Sequence, residues 1–368
     1  MGKRPARSSG DDAVTESRRR FLKTAGAAGA LLAVGSGQGV ASTDPSPEGA
    51  TREAVGGDGT GGGSTGGDAA RSLTSHEISS CTTITSPGTY EVVGDIASTG
   101  SGVCIDVQAD DVTIRGNGYT LSGDGSGTGV GANLGATSGG PIPIRENVEV
   151  EDLTVTGFET AIGYEEVTGG RVEGVTAREN GTGVSLRYGV TDVAVRDSML
   201  ADSGIGFRTV GSPNVYGGPE NNTFEYNDVE SNDRGIWLGL ITIDHELSCN
   251  RIVGNRGGVL HSGGETRGHV YDGNVICSNS EYGLRNVDNP PEDGIPAFED
   301  VVEATGNYWG ASDGPSSIGD PATPYEDPVT GALADGGGDG VSESLDAGVS
   351  NVHFDPFETS SLPSAGRR

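Results

Sequence analysis

Apolar and polar positions recur along the middle of this chain at a spacing too long for a helix and too regular for a loop. Aligned on the glycine before each apolar pair (Gly183, Gly206, Gly235, Gly258 and Gly283), the steps are 23, 29, 23 and 25 residues. The step of 29 holds an insertion, GSPNVYGGPENN, at 211–222. Three apolar columns follow from the alignment. Val150, Val172, Val195, Phe224, Leu247 and Tyr271 form one. Val155, Ala177, Leu200, Val229, Ile252 and Ile276 form the next, and Ile162, Val184, Phe207, Ile236, Val259 and Leu284 the third. A fixed repeat of this length marks a solenoid. The i, i+3, i+4 recurrence of a helical repeat is missing, and the residues are β-branched and Gly-rich. Three columns per repeat predict three short strands per turn of chain. The expected fold is all-β: a single-stranded parallel β-helix whose rungs each add one strand to three sheets.

Asparagines fall between the apolar columns. Asn227, Asn250 and Asn274 align, as do Asn232, Asn255 and Asn279, with Asn180 and Ser203 extending the second set. Stacked amides can bond to the unpaired backbone groups of a bend and to one another. A rung such as NDVESNDRGIWLGL then reads strand, Asn turn, strand, Gly turn, strand, with the Gly expected to supply positive φ.

An open coil needs both ends covered. Residues 81–122 are the expected N-terminal cap and first rungs, the pattern starting at Val112. At the other end GNYWGASDGPSS departs from the repeat, and Trp309 is placed to lid the last rung. The β-helix domain is therefore expected over 78–316, and a C-terminal cap with an acidic tail over 317–368.

The first 77 residues read differently. Ser17-Arg18-Arg19-Arg20-Phe21-Leu22-Lys23 and the Ala/Gly-rich run behind it match a twin-arginine export signal over 1–42. Residues 43–77, with GGDGTGGGSTGGD, form a Gly-rich linker too poor in apolar residues to fold. No later stretch is long and apolar enough to span a membrane. The chain is thus expected outside the cytoplasm, secreted or at the cell surface, and monomeric.

Charge sharpens that picture. The net charge is −30; without residues 1–42 it is −34, from 16 basic and 50 acidic residues, and every remaining basic residue is Arg. A surface this acidic excludes nucleic acid and anionic lipid as partners. Dense carboxylates and absent Lys fit solubility in high salt and a salt-loving archaeal source, so the charge does not identify a substrate.

Four cysteines are present. Outside the cytoplasm disulfides are permitted, and Cys81 and Cys104 flank the cap as a candidate staple. Cys249 and Cys277 are offset by four places in the repeat. That is about 13 Å along extended chain, beyond the roughly 7 Å Cα limit of a bridge, so both are expected free.

The rungs of pattern N-x-[IV]-x-x-N-x-x-G-[IV] resemble the right-handed parallel β-helix repeat proteins of the NosD-like and pectate-lyase-like superfamily. Asn307-Tyr308-Trp309-Gly310 with Asp313-Gly314-Pro315 is similar to that group's ending, and Asp339-Gly340-Val341 with Val352-His353-Phe354-Asp355-Pro356 to its terminal segment. The resemblance covers roughly residues 81–358. Its motifs are structural, and one fold serves many chemistries.

In pectate-lyase-like enzymes the substrate lies along an outward sheet face. The outward column after each Gly-apolar step reads Gly163, Ser185, Arg208, Trp237, Leu260, Arg285. Trp237 could stack on a sugar ring, and Arg208 and Arg285 could hold uronate carboxylates or sulfates. The alternative is a decorated strand without a ligand. A second column, Glu151, Glu173, Arg196, Glu225, Ser248, Asp272, reads as a charge ladder, or as a calcium site at Glu151 and Glu173, where like charges repel unless something lies between them. Asp335 and Asp339 are a weaker calcium candidate. His245, in Asp244-His245-Glu246, and His269 are candidate acids or bases. With Arg208 and Arg285 they are the possible catalytic groups of a polysaccharide lyase, which in a chain without Lys needs Arg, His or Tyr as base. A glycosidase needs two carboxylates across the bond, which the Arg208/Trp237 column lacks. Copper handling, the role of NosD itself, would favour Met, Cys and His ligands, and Met199 has no such neighbours in the alignment. Asn221-Asn222-Thr223 is a glycosylation sequon. No residue set assembles an active site, so a cell-surface module binding acidic polysaccharide ranks first, a lyase second and a NosD-like accessory role third.

Overall fold

The computed structural model describes residues 75–134, 143–212, 217–263, 266–287, 300–319, 323–344 and 348–368. The expected export signal and most of the linker lie outside the described residues. Among the described residues there is no helix long and apolar enough to cross a membrane.

Among the described residues thirty-two short strands wind as a right-handed parallel β-helix, thirty in three sheets and the pair Thr242–Ile243 and Thr266–Arg267 in a fourth of two. Each rung visits three sheets in order, as in Arg145–Glu151, Thr154–Thr156 and Thr160–Glu165. The first sheet has 11 strands, from His76–Ile78 to Val352–His353. The second has 8, from Ile96–Ala97 to Val275–Cys277, and the third has 11, including Thr82–Ile84 and Gly338–Glu343. The three apolar columns pair residue for residue: Val172 with Val195, Val229 with Ile252 and Ile252 with Ile276, Val184 with Phe207 and Phe207 with Ile236. All are buried.

The bends explain the asparagines. Between the first and second sheets the chain turns in two residues. The first of them is left-handed, as at Asp197, Tyr226 and Cys249 (φ 49, 54 and 55). The second turns inward and joins a ladder. Asn227 Oδ1 accepts from Ser198 N, Asn250 Oδ1 from Asn227 N, Asn274 Oδ1 from Asn250 N, and Asn307 Oδ1 from Asn274 N, at 2.8–3.0 Å. Each amide Nδ2 donates to a carbonyl, as Asn250 does to Phe224 at 2.7 Å. The second bend repeats the device through Asn180, Ser203, Asn232, Asn255 and Asn279, and ends on Asp339 Oδ2. Buried backbone groups are thereby matched rung by rung.

The glycines before the apolar pairs serve another purpose than expected. Gly183, Gly206, Gly235 and Gly258 do not have positive φ. A Cβ on any of them would lie 2.3–2.7 Å from the carbonyl oxygen of the glycine one rung on. The column is Gly because neighbouring backbones approach too closely for a side chain. Positive φ belongs to the residue before each ladder position; Asp, Glu, Tyr, Ser and Cys carry it at most rungs, and Gly254, Gly273 and Gly306 at the others.

The two ends are held differently. Cys81 and Cys104 form a disulfide beside the first rungs, and Cys249 and Cys277 are free. Alkylation of the native, unreduced chain is expected to label the two free thiols, Cys277 more slowly because burial pushes its pKa up. Mass spectrometry counts the adducts, and an unlabelled native chain would contradict the assignment. At the far end Gly338–Glu343 pairs with Tyr282–Val287, Val352–His353 pairs with Val302–Glu303, and Trp309 is fully buried. Asp327 anchors this region. Its carboxylate accepts hydrogen bonds from His353 Nδ1 (3.0 Å) and from the backbone N–H of Val329, Thr330, Phe354 and Asp355. The remaining segment, 357–368, runs back over the outside of the first bend. Glu358 N donates to Asn307 O, Gly366 N to Cys249 O and Arg368 N to Asp197 Oδ1. The Arg368 guanidinium lies 3.4 Å from the centre of the Tyr226 ring.

Candidate functional site

The outward column of the third sheet is assembled as the repeat implies: Gly163, Ser185, Arg208, Trp237, Leu260 and Arg285 are in register. Its members are not equivalent. Arg208 is half-buried, and Nε and Nη2 both donate to Ser185 Oγ, at 3.2 and 3.0 Å. Burial and then Arg187 disfavour its charge, partly offset by Tyr188, Glu159 and Glu165. Among the described residues no carboxylate lies within ion-pair distance of it. Trp237 beside it donates from Nε1 to Ser262 Oγ at 2.8 Å and has the Arg234 guanidinium 5.5 Å from its ring. Those contacts fix the indole, as a stacking platform requires. On the adjoining column Arg187 pairs with the buried Glu165 at 3.2 Å and lies over the Tyr188 ring at 4.5 Å.

Arg285 does not belong to the site. Both arms of its guanidinium engage Glu343, Nη2 to Oε1 at 2.8 Å and Nε to Oε2. Leu260, buried between Trp237 and Arg285 in the register, separates it further. The candidate site is therefore Ser185, Arg208 and Trp237, flanked by Arg187 and Tyr188.

The acidic candidates have partners of another kind. Glu151 and Glu173 are paired in register, as a charge ladder requires. Arg171 reaches between them: it bonds Glu151, lies 3.1 Å from Glu173 and 3.4 Å from Glu149. Arg196 adds 3.2 Å to Glu173 and Arg115 3.5 Å to Glu151. The repulsion expected to recruit calcium is already relieved by guanidinium groups. Asp339 ends an amide ladder, accepting from Asn279 N and Nδ2, while Asp335 pairs through its backbone with Ser316. Among the described residues no three His, Cys, Asp or Glu side chains form a metal-holding group.

His245 and His269 do not reach the surface. They are 3% and 2% exposed and lie inside the coil, rings stacked 5.0 Å apart. His261 meets His269 edge-on at 5.1 Å and bonds the Tyr271 hydroxyl at 2.6 Å. Burial depresses the pKa of all three, to about 3 for His269, so they are neutral. As acids or bases for an outside substrate they are excluded by position. Asn222 Oδ1 accepts from Val193 N, His245 Nδ1 from Asn222 N, and His269 Nδ1 from His245 N. This is a third ladder. Its signal was in the sequence, since Asn222, His245 and His269 each stand five places before an Asn of the first ladder. Asn221, the sequon residue before it, is exposed.

Among curated proteins none matches the chain. Several solved structures do. The chain is 14% identical to the A-module of the mannuronan C-5 epimerase AlgE4 of Azotobacter vinelandii, over 64% of this chain and 84% of that one, with a TM-score of 0.38. It is 14% identical to the periplasmic alginate epimerase AlgG, over 65% and 75%, with a TM-score of 0.27. It is 11% identical to XylC, solved with xylose, over 56% of this chain but 36% of XylC, with a TM-score of 0.34. Likeness of this extent says nothing of activity. The family model described as "Periplasmic copper-binding protein (NosD)" matches residues 94–314, which is 221 of 368 residues and most of the coil. The chain belongs to the NosD family.

Proposed function

We propose that this chain is an exported, salt-adapted coil that binds acidic carbohydrate on the outer face of its third sheet, acting as a monomer at the cell surface or outside the cell. The twin-arginine motif supports export, and the family's periplasmic description agrees with it. The observation that carries the reading is Arg208. In a chain of net charge −30, it is a half-buried guanidinium that, among the described residues, hydrogen-bonds a serine hydroxyl and pairs with no carboxylate. A carboxylate or sulfate supplies the missing counter-charge, and Trp237 offers the adjoining ring face to the sugar.

Titration of the mature chain with polygalacturonate, alginate and a neutral glucan, at molar salt, tests this. Binding is expected for the acidic polymers only. Arg208→Gln is expected to weaken it about 10–100-fold, the worth of a charge-assisted bond. Arg285→Gln, whose guanidinium is held by Glu343, is expected to leave it unchanged. Equal binding of the neutral glucan, or an Arg208→Gln chain that binds as tightly as the parent, would remove the proposal.

Tyr188 favours a second reading, polysaccharide lyase. Its hydroxyl accepts a hydrogen bond from Arg187 on the same face, so a phenolic oxygen and two guanidinium groups converge there. β-Elimination needs a base close to a neutralised uronate carboxylate. Growth of the ultraviolet absorbance of unsaturated product, lost in Tyr188→Phe, would identify a lyase.

A further inference from the structure

The family description names copper, and copper is held by imidazole, thiolate and thioether ligands. All five histidines, all four cysteines and Met199 lie among the described residues. Two cysteines are bridged. Met199 Sδ lies 3.7 Å from Arg178 Nη2, beside a cation that repels a metal ion. His76 stacks on Tyr90 at the N-terminal cap, and His353 is engaged by Asp327. Cys249 and Cys277 are free and half-buried, but among the described residues neither joins a group of three His, Cys, Asp or Glu side chains. What remains inside the coil is the group of His245, His261 and His269.

That group has two features of a copper site. Its imidazoles are neutral, and two ring nitrogens, His245 Nε2 and His261 Nδ1, are sealed from solvent without a partner. The hydrogen bonds decide against it. The backbone N–H of Asn222 points at His245 Nδ1 at 3.2 Å, and that of His245 at His269 Nδ1 at 3.1 Å. An N–H is met by a lone pair, so each Nδ1 is bare and the single proton of the neutral ring sits on Nε2. For His269 that proton has an acceptor, Thr242 Oγ1 at 3.2 Å. A protonated Nε2 is not a ligand. Freeing it would put the proton on Nδ1, against the backbone N–H, or leave an imidazolate in an apolar interior. His261 alone can present a bare nitrogen, when its Nε2–H donates to Tyr271, and one imidazole does not make a copper site.

We infer that His245 and His269 are ladder residues locked in the Nε2–H form, and that this chain's interior does not carry the copper association of its family. The two imidazoles do for the backbone what the Asn222 amide does one rung before, and their 5.0 Å stacking matches the spacing of rungs. The inference is independent of the saccharide reading.

Long-range proton–nitrogen NMR of the intact ¹⁵N-labelled chain reads the tautomer directly. Both residues are expected to show Nε2–H, unchanged when Cu(I) or Cu(II) is added. The double variant His245→Asn/His269→Asn restores the ladder amide and is expected to melt near the parent. His245→Leu/His269→Leu, which removes both acceptors, is expected to melt about 5 °C or more lower. After dialysis against copper and a competing chelator, the parent is expected to retain no more metal than the Asn pair. An Nδ1–H signal, an equivalent of copper held by the parent and lost in the Asn pair, or an Asn pair that melts as low as the Leu pair would each overturn the inference.

Discussion

Asp327→Ala is expected to destabilise the C-terminal end of the coil by about 3–5 kcal/mol, the cost of breaking a buried, hydrogen-bonded charge pair. The Asp327 side chain is fully buried and collects five donors: His353 Nδ1 and the N–H groups of Val329, Thr330, Phe354 and Asp355. Alanine leaves all five without their acceptor. Asp327→Asn keeps one acceptor oxygen but turns the other into a donor facing donors, so it is expected to recover little. The pH dependence has a definite sign. Burial pushes the Asp327 carboxyl up, but His353 and the N–H donors outweigh it and hold it below the usual range. Its contribution is present above the unfolded value, about 4, and is lost as pH falls through the folded value. Burial pushes His353 down, but Asp327 outweighs it and raises it. That contribution is complete below about 6.5 and is lost as pH rises through the folded value. The pair therefore stabilises most between these limits. Thermal melts of parent and variant at acid, intermediate and alkaline pH check this, with limited proteolysis locating the loosened region. A variant that melts with the parent in the intermediate range would show that the anchor is dispensable.

Asn250→Ala is expected to cost about 3 kcal/mol, because two buried backbone groups lose their partners at about 1–3 kcal/mol each. These are the N–H of Asn227, which donates to Asn250 Oδ1 at 3.0 Å, and the carbonyl of Phe224, which accepts from Nδ2 at 2.7 Å. In a domain of this size the midpoint should fall by roughly 6–12 °C. Asn250→Asp is informative beside it. A carboxylate can accept from Asn227 but cannot donate to Phe224. Asp339 is tolerated in the neighbouring ladder because it stands at the end, accepting from Asn279 N and Nδ2. Calorimetry of the two variants separates the lost acceptor from the lost donor. A midpoint within a degree or two of the parent's for Asn250→Ala would mean the ladder is ornamental.

The sequence carried the coil because each rung repeats its neighbours, so inward residues such as Val229, Ile252 and Ile276 could be aligned without coordinates. The amide ladders were legible for the same reason. The role of glycine was not. A glycine letter does not say whether the backbone needs an unusual φ or only room, and the column of Gly183, Gly206, Gly235 and Gly258 needs room. Left-handed φ fell instead on the residue before each ladder position, on Tyr226 and Cys249 as well as on Gly254 and Gly273. Side-chain pairing outside the repeat was also hidden. Glu343 lies 58 residues after Arg285, in a segment that breaks the pattern, so the guanidinium looked available for a ligand. Arg171 lies two residues from Glu173 on the same strand, and only the register brings it to Glu151 as well. Arg208 kept its candidacy because no described residue from outside the repeat pairs with it.

Segment 357–368 has a consequence for how the coil comes apart. A stack held only by contacts between adjacent layers is divisible: its end layers can peel away singly. Here one stretch of chain touches the layers of Asn307, Cys249, Tyr226 and Asp197 together. Gly366 sits so close that a Cβ on it would meet Asp228 Oδ1 at 2.6 Å. Separating any of those layers means lifting the whole stretch, so this part of the stack opens as one cooperative block. The layers between the Cys81–Cys104 staple and the reach of Arg367 and Arg368 keep the piecemeal fraying of a plain solenoid.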